Sequence, residues 1–95
     1  MFDDDVDLRN YLRDRTQHLI DKLLPYADHY KGQPLEYTFR HTLSTWLMEM
    51  FRAKVISPGE CLELMRVCDP HFYETILFQI SIVEEIKKAK NEKTE

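Results

Sequence analysis

The chain has 95 residues, with 13 Lys and Arg against 17 Asp and Glu and a formal net charge of −4. That length predicts one domain, burying only about 60 to 65% of the surface its unfolded form exposes, and the acidic balance argues against a role in gripping nucleic-acid phosphates. No apolar run reaches the length of a membrane span, and the acidic opening MFDDDVDLRN lacks the basic region of a secretory leader, so a cytoplasmic protein is expected.

Two Gly and four Pro are too few to punctuate a set of strands, and the composition points to a few long helices. The first is expected over 5–24, where Leu8, Leu12, Leu19 and Leu23, widened by Ile20 and Leu24, recur on one face. Asp3, Asp4, Asp5 and Asp7 form an acidic start over residues 1–7 that complements the positive end of its dipole. Pro25 should end or kink this helix, and the stretch that follows should be a turn or a short extra helical piece closed by Gly32.

Pro34 suits the first position of a second helix, carried to about Lys54 by Leu35, Phe39, Leu43, Trp46, Leu47, Met50 and Phe51. Ser57, Pro58, Gly59 and Glu60 spell a capping box with Pro at the first helical position, so a short third helix begins there and runs through Cys61, Leu62, Leu64, Met65 and Val67. Asp69 and Pro70 repeat that grammar for a fourth helix reaching about Lys90, with Lys87, Lys88 and Lys90 at the negative end of its dipole and a frayed tail over 91–95. The expected fold is all-α, a compact irregular four-helix bundle of three longer helices and one short one, in a single domain.

The fourth helix carries the most informative pattern. At about 100° per residue, Phe72, Tyr73, Ile76, Leu77, Ile80 and Val83 share one broad arc, while Phe78, Ile82 and Ile86 recur every fourth residue on another side. One stripe faces a core. The other needs a second cover: either the helix is central, flanked by the first two helices and the third, or another molecule lies on it. A third helix of about ten residues is too short to cover the whole stretch from Phe78 to Ile86, which leaves apolar surface near Ile82 and Ile86 for a partner.

Signals for chemistry are weak. His18, His29, His41 and His71 make no metal-ligand spacing, and neither a HExxH nor a paired CxxC motif is present, so no metal and no cofactor is expected. Cys61 and Cys68 are too few for a disulfide framework and read as buried reduced thiols, and Glu60 and Glu63 beside Cys61 would raise a thiol pKa that nucleophilic catalysis needs lowered. With no phosphate loop and no nucleophile elbow, the expectation is a protein that is not an enzyme.

Asp7, Asp14 and Asp21, seven apart, stay within about 40° on one side of the first helix and form a row that could meet a basic groove; Arg9, Arg13, Arg15 and Lys22 dilute it, and a plain solvated face explains it as well. The favoured reading is a small acidic regulator or adaptor, of the kind phage and bacterial accessory genes encode, which binds and inhibits another protein with a basic or neutral groove through Phe78, Ile82, Ile86 and the acidic row. Two other classes stand beside it. One is a small-molecule or nucleotide-binding oligomer using Tyr37, Arg40, His41 and Trp46, and the other is an assembly subunit pairing as a homodimer through the fourth helix.

Overall fold

The computed structural model describes residues 5–93, with side chains from Val6 to Asn91. It is all-α, and no strand occurs among the described residues. The order is α1 Asp5–His29, α2 Pro34–Arg52, α3 Pro58–Cys68 and α4 Pro70–Lys93, three longer helices and one short one as the sequence predicts. The acidic start falls partly, and the tail over 91–95 partly, outside the described residues; Asn91 to Lys93 are helical.

The starts of α3 and α4 obey their local signals. The Ser57 hydroxyl accepts the Glu60 N–H at 3.1 Å while the Glu60 carboxylate accepts the Ser57 N–H, so the capping box ahead of α3 is complete. Asp69 does the same work for α4, its carboxylate accepting the Phe72 N–H at 3.2 Å with Pro70 in the position that needs no donor.

α1 does not end at Pro25. The ring removes one donor, yet the turn beyond it is anchored from outside. Ala27 is completely buried, Tyr26 stacks on Phe39 with ring centroids 5.6 Å apart, and Asp28 pairs with Arg40. Tertiary contacts therefore carry the helix across a break that would stop it in isolation. The chain reverses only at Gly32, whose φ of +82° lies in the left-handed region.

α2 ends in a Schellman motif. The Val55 N–H reaches the Met50 carbonyl at 2.9 Å and the Lys54 N–H reaches that of Phe51 at 3.0 Å, with Met50 and Val55 both buried beneath. Lys54 occupies the left-handed position with φ +62°, where glycine is usual.

The helices pack in chain order, α1 on α2, α2 on α3 and α3 on α4. One buried cluster joins Ile20 of α1, Leu43, Leu47 and Met50 of α2, Val55 and Ile56 of the connection, and Cys61, Met65 and Cys68 of α3. α2 and α3 thus hold the centre, and α4 is a flank instead of the central helix the sequence also allowed. None of its described residues is buried; Phe72, Tyr73 and Ile76 rest on the cluster, and every residue from Leu77 to Asn91 is exposed. The compact part is α1 to α3 with the first turns of α4, and the rest of α4 projects. The radius of gyration is accordingly 16.8 Å, against about 12 Å for a globule of this length.

Two polar ties fix α1 in place. Thr16, buried on α1, accepts the Trp46 indole N–H at 2.8 Å and donates to the Leu12 carbonyl at 2.7 Å. Arg13 donates to the Val55 carbonyl at 2.8 Å and pairs with Glu60, linking α1 to the start of α3.

Candidate functional site

The surface that stands out is the projecting part of α4. Leu77, Phe78, Ile80, Ile82, Val83 and Ile86 are all exposed, with Phe78 at 67%, Ile82 at 40% and Ile86 at 51%. The stripe singled out from the sequence is therefore solvent-facing, together with the far end of the other stripe. Leu77 to Lys93 extends roughly 25 Å at 1.5 Å per residue. A helix of that length without tertiary support is marginal in water, and β-branched Ile80, Ile82, Val83 and Ile86 weaken it further.

Beside the base of this projection lies a groove of about 260 Å³ between α2, α3 and α4, lined by Met48, Phe51, Pro58, Cys61, Leu62, Ile76, Gln79 and Ile80. Its walls come from three helices, so no single periodicity announces it in the sequence. The broad apolar arc of α4, on a different side from Phe78, Ile82 and Ile86, runs out of this groove through Ile76 and Ile80.

The acidic row stands elsewhere. Asp7, Asp14 and Asp21 are exposed on α1, and Asp21 accepts a hydrogen bond from the Gln17 side chain at 2.9 Å. α4 packs on α3 and α1 packs on α2, so the row and the apolar strip are two separate surfaces, not one rimmed patch.

Tyr37, Arg40, His41 and Trp46 are not gathered around one cavity. Tyr37 is exposed. His41 and Trp46 border a shallow depression completed by Leu19, Thr42, Thr45 and Glu49, and the Trp46 N–H is committed to Thr16. The Arg40 side chain, 15% exposed, is spent on structure: Nε donates to Glu36 at 2.8 Å, one terminal nitrogen to the Cys68 carbonyl at 3.0 Å and the other to Asp28 at 3.3 Å. It ties the ends of α1 and α3 to α2, a role the sequence did not reveal because its partners lie 12 and 28 residues away.

Electrostatics elsewhere describe a scaffold. The Gly32 N–H, and then Arg40, hold the Glu36 carboxyl below the usual carboxylate range. Arg13, and then the Ser57 N–H, do the same for Glu60. Burial pushes the Cys61 thiol up and the Cys68 thiol up to about 11, the opposite of nucleophile activation. Among the described residues no group of three or more His, Cys, Asp or Glu is placed to hold a metal ion, and no helix is long and apolar enough to cross a membrane.

The chain matches no protein-family model and no curated protein, and its fold matches no solved structure.

Proposed function

We propose that this is a non-catalytic interaction protein whose working element is the projecting half of α4, with α1 to α3 as the scaffold that presents it. One observation carries the reading: from Leu77 to Ile86 the helix is apolar on two sides and exposed along its length, with Gln79 and Ile80 bordering the groove at its base. Large apolar side chains displayed along a protruding helix suit helix-against-protein docking, where a few such anchors supply most of the binding energy. The finer role is that of a small acidic regulator, with Asp7, Asp14 and Asp21 as a second face that speeds encounter with a basic protein.

The test is a photo-cross-linking side chain placed at Phe78, with the same group at exposed Thr42 as control, in cells that produce the protein. A discrete protein adduct at position 78 and none at 42 is expected. If position 78 yields no more adduct than the control, α4 is not a docking element and the proposal fails.

A further inference from the structure

We infer that the occupant of the projecting half of α4 is a second copy of the same helix, laid antiparallel across a two-fold axis at Ile82. The inference rests on the proposed docking role of α4 and names its partner. Two observations support it, and a third sets its strength.

The first is self-complementarity. Phe78, Ile82 and Ile86 are evenly spaced, so an antiparallel copy centred on Ile82 sets Phe78 against Ile86 in both directions and Ile82 against itself, as an isologous contact requires. The bulky ring at one end meets the smaller side chain at the other.

Charge supplies the second and decides direction. Glu74 lies toward the base of α4, Glu84 and Glu85 near the middle, and Lys87, Lys88 and Lys90 toward the tip. In the antiparallel pair the Lys cluster comes level with Glu74 of the copy, twice by symmetry, and Glu84 and Glu85 come level with uncharged Gln79 and Ile80. Glu74 and Lys88 share one edge of the helix, separated by about 40°, and in an antiparallel pair like edges meet. A parallel pair would instead bring unlike edges together and set Glu74 level with its own copy and Lys88 level with its own, so the Glu74–Lys88 pairing would be lost.

The third, area, makes the pair a weak one. On the contact face, Phe78, Ile82 and Ile86 present on the order of 300 Å² of exposed apolar side chain per copy, within the range of patches on ordinary monomers. Two such faces bury about 600 Å², less than the roughly 1,000 Å² of a stable specific interface. The pair is therefore a weak, reversible dimer that forms as protein concentration rises.

Sedimentation velocity from about 1 to about 300 µM tests this by mass action. Wild type is expected to pass from monomer to dimer, and Ile82→Asp to remain monomeric with unchanged helicity, since position 82 is exposed and outside the core. Single substitutions Glu74→Lys or Lys88→Glu should weaken the dimer several-fold and the pair together should restore it. Direction is read by oxidation of variants with one added cysteine, with buried Cys61 and Cys68 shielded. Ile82→Cys should cross-link to itself, whereas Phe78→Cys should cross-link to Ile86→Cys and not to itself.

A wild-type monomer at every concentration, a dimer untouched by Ile82→Asp, or self-linking of Phe78→Cys would each overturn the antiparallel pair. A wild-type monomer combined with a position-78 adduct to a different protein would sink this inference alone and leave α4 as a docking element. No adduct at all would remove both.

Discussion

The contact between Thr16 and Trp46 offers the sharpest check on how α1 is held. Thr16 is 3% exposed, and its hydroxyl accepts the indole N–H at 2.8 Å. Replacing it by Val keeps the shape and the β-branch but removes the acceptor, leaving the N–H of a partly buried ring facing methyl groups. The lost bond to the Leu12 carbonyl matters less, because that oxygen also serves the helix. An unsatisfied donor in such a place costs about 1.5 kcal/mol, which for a domain of this size lowers Tm by roughly 6 to 12 °C.

The magnitude alone would not identify the cause, so Thr16→Val should be measured in two backgrounds, wild type and Trp46→Phe, by urea unfolding followed at 222 nm. With the indole gone there is no donor to strand, and the cost of Thr16→Val should shrink to a few tenths of a kcal/mol, a coupling of at least about 1 kcal/mol. Equal costs in both backgrounds would show that the hydrogen bond contributes nothing and that packing alone seats α1 on α2.

Lys54→Gly should raise stability by about 1 kcal/mol, because the left-handed position at the end of α2 strains any side chain, while Gly32→Ala should lower it by about the same amount; thermal melts decide both. Stability should be level above about pH 5 and fall as pH drops through and below 4.5, since Glu36 and Glu60 have depressed folded pKa values and their contribution is lost on protonation; a melt series at fixed ionic strength that stays flat down to pH 3 would contradict this. In the alkaline direction the raised Cys68 thiol predicts declining stability from about pH 9 toward 11. At pH 8 both thiols should resist a disulfide reagent until urea unfolds the chain, and prompt reaction of the native protein would show that the α2–α3 core is open.

Helix existence was legible wherever a local signal sufficed. Ser57 with Glu60 and Asp69 with Pro70 each decide a start within four residues, and the structure uses both. Pro25 misleads because the evidence against a stop lies far along the chain, in Phe39 and Arg40, which hold the turn that follows it. The two stripes of α4 were visible as periodicity, whereas which helix sits at the centre depends on lengths and crossing directions that periodicity does not encode. Arg40 illustrates the same limit at a single residue: by pattern it resembles a ligand group beside aromatic rings, and in space its donors are taken by Glu36, Asp28 and the Cys68 carbonyl.

The projecting half of α4 has a second conformational reading. Phe78, Ile80 and Ile82 alternate with Gln79 and Ser81, and Val83 extends the run, so the segment FQISIV is also a well-formed β-strand with no proline and no charge inside it. Glu84 and Glu85, followed by Lys87 and Lys88, stand immediately after it as a charged brake on strand stacking. Whenever this part of α4 unwinds, it offers an adhesive edge to any neighbour doing the same. Keeping it helical is therefore also a matter of solubility, and losses by fibrillation or precipitation on heating should begin here while the α1 to α3 core is still folded.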